Sequence, residues 1–146
     1  MNLKQNPALQ EFNQLNQRIE GLYHEIAMRQ GVSDSAFLIF RSLLELGDGC
    51  SQKDICAASY LNKQTVNSSV RKLIRDGLLR VQPGAGRELR LFFTERGEQF
   101  MREKICPIFE AESAVFDEMQ PSERAELLRL TEQYLIQFRK KTNQIR

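Results

Sequence analysis

Residues 51–79 read SQKDICAASYLNKQTVNSSVRKLIRDGLL, and this stretch decides the fold. Ser51, followed by Asp54 at the third position after it, has the form of a capping box with Asp in the place of the usual Glu or Gln. It predicts the start of a short helix. Asn62 predicts the cap of a second helix, which Gly77 ends. Two short helices joined by a tight turn predict a helix-turn-helix.

Beyond Gly77 the pattern changes from the period of a helix to that of a strand. Residues 78–81 and 89–93 are rich in Leu, Val and Phe and predict two strands. The sequence Pro-Gly-Ala-Gly at residues 83–86 predicts the turn between them. A helix-turn-helix that is followed by a β-hairpin makes a winged helix-turn-helix.

Long helices are predicted on both sides of this core. Apolar residues at steps of three and four predict a first helix over residues 7–30 with one narrow apolar stripe. Ser33 predicts the cap of the second helix. Two long helices are predicted after Thr94 and Pro121, with a kink at Pro107 in the first of them. A long helix with a narrow stripe needs a partner, either the body of the protein or another chain.

Length and composition bound the class of protein. The 146 residues, 27% charged and 41% hydrophobic, are ordinary for a soluble globular protein. We expect a mainly α fold with a small β-hairpin wing, in which a winged helix-turn-helix core over residues 33–97 is flanked by long helices in residues 1–32 and 98–146. No apolar run approaches the ~20 residues of a membrane span. The start, MNLKQNPALQ, has no apolar core, so we expect no secretory signal and a cytoplasmic protein.

Charge is distributed unevenly along the chain. Residues 62–90 carry seven basic and two acidic side chains, a net charge of +5, whereas residues 97–132 carry four basic and nine acidic side chains, a net charge of −5. The basic residues of the first segment are Lys63, Arg71, Lys72, Arg75, Arg80, Arg87 and Arg90. This pattern favours a local anionic partner, and the alternative is a solvated charged face.

The sequence contains few features that are typical of a metal site, a cofactor site or an enzyme active site. The three cysteines, Cys50, Cys56 and Cys106, have no CxxC spacing, and His24 is the only histidine, so we expect no metal site and no cofactor. Each cysteine is expected to be a small buried side chain, and a redox-sensing thiol is the alternative. A Gly-x-Gly-x-x-Gly sequence and a phosphate-binding loop are both absent, so no catalytic residue and no enzyme activity are expected.

The second helix of the helix-turn-helix is expected to enter the major groove of DNA, which is about 12 Å wide. Its amides suit adenine, and its basic side chains suit guanine or phosphate. The outward residues are predicted to be Lys63, Gln64, Thr65, Asn67, Ser68, Arg71 and Lys72. The predicted DNA contacts also include Ser51 and Gln52 at the start of the preceding helix, and Arg87, which a flexible wing tip could bring to a minor groove.

Three segments together resemble a known family. They are SDSAFLIFRSLLEL at residues 33–46, the helix-turn-helix stretch quoted above, and GRELRLFFTERG at residues 86–97. Residues 33–97 look like the DNA-binding core of the MarR (multiple antibiotic resistance regulator) family of bacterial transcription regulators, and the flanking helices match that family's layout. The resemblance implies a homodimer that binds a pseudo-palindromic operator, usually as a repressor. Many family members are released from DNA by a small, often aromatic or phenolic ligand, and others respond to cysteine oxidation.

The chain departs from the family pattern at three points. Ala85 stands where the family's wing often has an Asp that braces the arginine at the position of Arg87, and Ser68 stands where an Arg is frequent. The first helix lacks the cysteine that is typical of oxidation-sensing members. Without that Asp we expect Arg87 to be less well ordered, and the missing cysteine lowers the redox hypothesis.

The family's ligand pocket lies between the dimerisation helices and the DNA-binding core. By that resemblance, the residues expected near a ligand are Tyr23, His24, Phe37, Phe40, Met101 and Ile105, for each of which plain core packing is the alternative. Two other classes of protein are weighed against a ligand-controlled regulator. One is an enzyme, and the other is a helical interaction module whose winged helix binds protein instead of DNA. The concentrated positive charge at residues 62–90 argues against the latter.

Overall fold

The structure is a computed structural model that describes residues 6–86 and 88–145. The chain divides into two compact units, Met1–Cys106 and Pro107–Arg146. The elements in chain order are α1 (Pro7–Arg29), α2 (Asp34–Leu46), β1 (Cys50–Ser51), α3 (Gln52–Ser59), α4 (Lys63–Arg75), β2 (Leu79–Pro83), β3 (Leu89–Phe93), α5 (Glu95–Phe100), a π-helical segment (Met101–Ile105), α6 (Cys106–Glu118) and α7 (Pro121–Thr142). The expected fold class, mainly α with a small β-hairpin, is confirmed.

Side-chain caps begin the helices of the first unit where the sequence predicts them. Ser33 accepts a hydrogen bond from the backbone N–H of Ala36 at 3.2 Å and so starts α2. Thr94 accepts one from the backbone N–H of Gly97 at 2.9 Å and so starts α5. Such caps satisfy backbone donors that a helix leaves without a partner in its first turn. Helix boundaries are therefore local properties of this sequence.

The sheet has three antiparallel strands in the order β1-β3-β2. The predicted hairpin pairs Leu79 with Phe93 and Val81 with Leu91. The short strand β1, which the sequence does not predict, joins the other edge of β3 and pairs Cys50 with Leu91. Two residues show no alternation, so β1 carries no pattern that a sequence could reveal.

The core of the first unit lies between α2, the helix-turn-helix and the sheet. Phe40 is fully buried, and its ring packs against Phe93 at a centroid distance of 6.4 Å and against Phe100 at 5.5 Å. Burying a side chain of this size stabilises a fold by about 1.5–3 kcal/mol. The other large, fully buried side chains are Ile39, Leu43, Ile55, Val66, Val70, Leu79, Leu91 and Ile105.

Helix α5 approaches the start of β2 very closely at Gly97. A Cβ atom at this position would overlap the carbonyl oxygen of Leu78. The same carbonyl accepts a hydrogen bond from the backbone N–H of Thr94 at 3.1 Å, which fixes its position. Only glycine leaves room for this contact between two backbones.

The long helix in which the sequence predicts a kink at Pro107 contains a π-helical segment, Met101–Ile105, immediately before α6. Proline has no backbone N–H, so a regular α-helical hydrogen bond cannot form at Pro107. A π turn is one of the recognised ways in which a helix accommodates an irregular hydrogen-bond pattern. Met101 and Ile105, the two ends of the segment, are buried in the first unit.

The first and the last helices each expose apolar side chains. On α1 these are Phe12, Leu15, Ile19, Leu22 and Met28. On α7, in the second unit, they are Leu127, Leu128, Leu130, Tyr134, Leu135, Ile136 and Phe138. Among the helices described, none has the length and apolar character needed to span a bilayer.

Candidate nucleic-acid interface

Helix α3 is held at its start by the predicted capping box. The Ser51 hydroxyl accepts a hydrogen bond from the backbone N–H of Asp54 at 3.2 Å, and the Asp54 carboxylate accepts one from the backbone N–H of Ser51 at 2.8 Å. The hydrogen bonds that the backbone N–H and the hydroxyl of Ser51 donate to the carboxylate hold the pKa of Asp54 below its ordinary value.

Ser51 itself needs a correction. Its side chain is 3% exposed, and its hydroxyl also donates a hydrogen bond to the Asp54 carboxylate at 2.8 Å. A buried hydroxyl that is engaged in a cap is not available to DNA, so we remove Ser51 from the expected contacts. Gln52, the first residue of α3, is half-buried.

Helix α4 is seated on the core by one face. Asn62 caps it by accepting a hydrogen bond from the backbone N–H of Thr65 at 2.8 Å, as the sequence predicts. Val66 and Val70 are fully buried, and Leu73 is nearly so. The positions of these three residues, four and three apart, place them on one side of the helix and fix which side faces solvent.

The outward face of α4 is polar at its start and basic toward its end. Gln64, Ser68, Arg71 and Arg75 are all exposed, and their spacing of four, three and four places them in a single stripe. Lys63 is exposed in the first turn. The sequence analysis counted Arg75 among the basic residues of this segment but did not include it among the predicted DNA contacts. Its exposed position continues the stripe on α4.

Two of the predicted outward residues lie at the margins of this face. Thr65 and Asn67 are half-buried, whereas the sequence alone had both pointing outward. Ser68 is exposed, and its hydroxyl donates a hydrogen bond to the carbonyl of Thr65 at 3.1 Å. The hydrogen bond between Ser35 of α2 and Ser69 of α4, 2.8 Å between hydroxyl oxygens, ties α4 to the core on its other side.

The basic side chains differ in how they are already engaged. Lys72 Nζ lies 2.8 Å from the Asp76 carboxylate, in an exposed ion pair at the end of α4. Arg80 on β2 lies over the ring of Phe92, 4.9 Å from its centroid. Lys72 and Arg80 therefore already make contacts within the chain before any partner binds.

The base of the wing is fixed by Arg90 on β3. Its guanidinium donates hydrogen bonds to the carbonyl of Gly49 and to the carboxylate of Glu88, each at 2.8 Å. The hairpin loop is closed by a hydrogen bond from the backbone N–H of Gly84 to the carbonyl of Glu88 at 2.8 Å. Arg87, the predicted wing-tip contact, lies outside the described residues.

A cavity of about 360 Å³ lies between α1 and α2 in the first unit. It is lined by Glu20, Tyr23, His24, Asp34, Phe37, Leu38 and Arg41. The guanidinium carbon of Arg41 is 5.6 Å from the centroid of the Tyr23 ring and 5.9 Å from that of the Phe37 ring. Aromatic walls suit a flat ligand, and the cavity offers it both the Arg41 guanidinium and the carboxylates of Glu20 and Asp34.

The structure brings together three of the six residues expected near a ligand. Tyr23, His24 and Phe37 line the cavity. Phe40, Met101 and Ile105 do not line it, and all three are buried in the core, so core packing accounts for them and we withdraw them as ligand residues. The sequence did not single out the other four lining residues, which are Glu20, Asp34, Leu38 and Arg41.

Within the described residues no group of three or more His, Cys, Asp or Glu side chains is placed to hold a metal ion. Cys50 is buried as expected, while Cys56 and Cys106 are half-buried. Burial and the nearby Asp54 carboxylate raise the pKa of the Cys50 thiol, which disfavours its reactive thiolate form.

A helix-turn-helix with an exposed polar and basic second helix, followed by a hairpin, defines a winged helix-turn-helix protein. Residues 30–88 match the model of the MarR family. Over these residues the chain is therefore similar to the MarR family, and the match covers less than half of its length. No curated protein matches the chain.

Solved structures of regulators share this fold. The MarR-family regulator NMB1585 of Neisseria meningitidis is 25% identical, with a TM-score of 0.68 over 90% of this chain and 95% of that one. MepR of Staphylococcus aureus, solved in complex with DNA, is 16% identical, with a TM-score of 0.72 over 92% and 99%. BpsR of Bordetella bronchiseptica, whose DNA binding is regulated by 6-hydroxynicotinic acid, is 20% identical, with a TM-score of 0.63 over 84% and 97%.

Proposed function

We propose that this protein is a homodimeric, sequence-specific DNA-binding transcriptional regulator of the cytoplasm, a repressor that a small aromatic or phenolic ligand releases from a pseudo-palindromic operator. The observation that carries the proposal is the exposed face of α4, where an amide is followed by guanidinium groups on a helix whose opposite side is buried. Amides bind adenine edges, and guanidinium groups bind guanine edges or phosphates. MepR, which has the same fold, was solved in complex with DNA, and this supports DNA binding by the present chain.

Base and phosphate contacts are proposed to divide along α4. Lys63, Gln64 and Asn67 lie in the first turns, which in a helix-turn-helix approach the bases. Arg71 and Arg75 lie further along the exposed stripe and are assigned to phosphates. Phosphate contacts set affinity and orientation, while base contacts set specificity.

A dimer is supported by the apolar side chains that α1 leaves exposed. Leu15, Ile19 and Leu22 are about half exposed and, with Phe12, are spaced by three and four residues along one stripe. A second copy related by a two-fold axis would remove such a surface from water. In this proposal residues 1–32 and 98–146 dimerise and residues 33–97 bind DNA.

Ligand control is supported by the cavity between α1 and α2. Tyr23 and Phe37 supply aromatic walls, and Arg41 supplies a cation that could pair with an acidic ligand. The regulation of BpsR by 6-hydroxynicotinic acid supports the same class of ligand. Control by cysteine oxidation is less favoured because the Cys50 thiol is buried and its pKa is raised by that burial.

Binding to a random-sequence duplex at about 50 and 200 mM salt tests the first part of the proposal. We expect binding that weakens steeply as salt rises, because basic side chains release counterions from phosphates. A protein-binding module or an enzyme would show no such binding. Selection of preferred sequences from a random pool then gives the operator.

The spacing of the selected operator tests the dimer on DNA. Two recognition helices related by a two-fold axis require half-sites about one turn apart, so inserting about five base pairs at the centre should abolish tight binding. On the same operator, Gln64→Ala should cost about 1–3 kcal/mol and relax the preference at one position in each half-site. Unchanged affinity for the lengthened operator would count against a dimer that binds both half-sites.

A further inference from the structure

Tyr60, in the turn between α3 and α4, has an unusual backbone conformation. Its φ of 57° and ψ of 13° lie in the left-handed region, and among the described residues it is the only non-glycine residue with a positive φ. A side chain in this region crowds the backbone, whereas glycine adopts it freely. The chain therefore tolerates strain at Tyr60 that a glycine would avoid.

The neighbours of Tyr60 impose this conformation without its side chain. The Ser59 hydroxyl donates a hydrogen bond to the carbonyl of Ile55 at 2.7 Å and accepts one from the backbone N–H of Leu61 at 3.3 Å. Ile55 is fully buried, and Asn62 is held by its cap on α4. The turn is thus anchored on both sides of Tyr60.

Contacts of the Tyr60 side chain within the protein offset little of the conformational strain at this residue. The residue is 93% exposed, so its ring gains almost no burial. Residues that keep a strained conformation tend to cluster at functional sites, where a partner offsets the strain. The surroundings of Tyr60 therefore point to a role outside the free protein.

We propose that Tyr60 is a contact to the DNA backbone, in which its phenol O–H donates a hydrogen bond to a phosphate oxygen and its ring packs on the adjoining deoxyribose. The proposal rests on the DNA-binding function proposed above. Tyr60 stands three positions before Lys63, the first residue of α4, at the end of the helix that approaches the bases. Tyrosine is among the side chains that donate to phosphates, and its ring offers an apolar face beside a polar tip.

A contact at this turn would set the register of α4 in the groove. Phosphate contacts fix the position of a protein on the duplex and carry no sequence information themselves. Tyr60 would therefore strengthen binding to every sequence. Because phenol is neutral, its contact releases no counterion and leaves the salt dependence of binding unchanged.

Three substitutions separate the hydroxyl, the ring and the backbone strain. Tyr60→Phe removes only the hydroxyl, while Tyr60→Asn and Tyr60→Gly remove the ring and place residues that tolerate the left-handed region. With the wild-type chain and a random-sequence duplex, we expect binding about 3- to 10-fold weaker for Tyr60→Phe and about tenfold or more weaker for the other two. The melting temperatures of Tyr60→Asn and Tyr60→Gly should equal or exceed that of the wild type.

The salt dependence supplies the control. Arg71→Ala should flatten the slope of log affinity against log salt, whereas the Tyr60 variants should keep the wild-type slope. Wild-type affinity in both Tyr60→Phe and Tyr60→Asn, or a weaker binding that follows a lower melting temperature, would overturn the inference. Loss of the dimer in Tyr60→Asn would overturn it in favour of a protein contact. A wild-type chain that binds no DNA would instead refute the proposed function, and this inference with it.

Discussion

One carboxylate oxygen of Asp54 lies 2.8 Å from both the backbone nitrogen and the hydroxyl of Ser51. Both groups donate hydrogen bonds to the charged carboxylate, and they hold its pKa below the ordinary value. The pair therefore links the start of α3, the first helix of the helix-turn-helix, to pH. Because the folded pKa is the lower one, the contribution to stability is present above the unfolded pKa and is lost as pH falls through the folded pKa.

We expect Asp54→Asn to lower the melting temperature at neutral pH, because a neutral amide replaces a charged acceptor. The difference from the wild type should shrink as pH falls below about 3.9, the ordinary value for Asp. Thermal denaturation of both proteins at a series of acidic pH values measures this difference. Glu45→Gln, on the exposed side of α2, removes a carboxylate without a cap and is the control. A difference that stays constant with pH would show that Asp54 does not act through its charge.

Arg71 and Lys72 should contribute unequally to DNA binding. Each phosphate contact adds about 0.9 to the salt slope, so removing one residue from both subunits of a dimer should lower the slope by about two units. Arg71→Ala should approach that value. Lys72→Ala should change the slope less, because Lys72 is already paired with Asp76 at 2.8 Å. Equal changes in the two variants would mean that this ion pair opens on DNA.

The apolar stripe on α1 should be required for the proposed dimer. Leu15→Glu and Ile19→Glu place charges at positions that are about half exposed in the single chain. Burying an unpaired charge in an interface is costly, so we expect both variants to be monomers at micromolar concentration. Light scattering measures this directly. Gln17→Glu, exposed on the opposite face of α1, should remain a dimer.

Gly97→Ala should destabilise the fold by about 2–4 kcal/mol, because a methyl group there would overlap the Leu78 carbonyl and force two backbones apart. Chemical denaturation measures the change. Gly21→Ala is a matched control within α1, since no atom lies within 4 Å of the added methyl. It should be neutral or stabilising by up to about 1 kcal/mol, from the higher helix propensity of alanine. Comparable losses in both variants would contradict the close approach.

Arg41→Gln should reduce the release of DNA by aromatic hydroxy acids and leave DNA affinity without a ligand unchanged. The substitution removes the cation that lies 5.6 Å from the Tyr23 ring. The measurement is the acid concentration that halves DNA binding, with 4-hydroxybenzoate and related acids as probes. Arg29→Gln removes an exposed arginine outside the cavity and should behave as the wild type. A loss of release in both variants would point to general charge instead of the cavity.

Helix starts and the hairpin could be predicted from sequence because their signals are local. The caps at Ser33 and Asn62 each hydrogen-bond a backbone N–H three residues later, so residue type and spacing suffice. The strand β1 could not be predicted, because it exists only through its pairing with β3. The π-helical segment likewise could not be predicted, because it depends on how the helix adjusts before Pro107. From the sequence, the proline predicts only a kink.

The candidate site could be predicted in part for the same reason. Periodicity assigns Gln64 and Arg71 to one face of α4, and the structure exposes both. Periodicity does not say how deeply neighbouring elements cover the margins of that face, which is why Asn67 is half-buried. The residues that line the cavity were harder to predict, because Phe37 and Phe40 are the same residue type on the same helix. Only the tertiary packing of Phe40 against Phe93 and Phe100 separates core from cavity wall.

The hydrogen bond from Arg90 to the carbonyl of Gly49 has a mechanical consequence. Arg90 belongs to the strand that carries the wing, and Gly49 directly precedes β1, which leads without a break into α3. A second bond runs in the opposite direction, from the backbone N–H of Gly49 to the carbonyl of Leu91 at 2.8 Å. These two hydrogen bonds join the wing to the start of α3, so we expect a displacement of α3 on a bound duplex to move the hairpin with it.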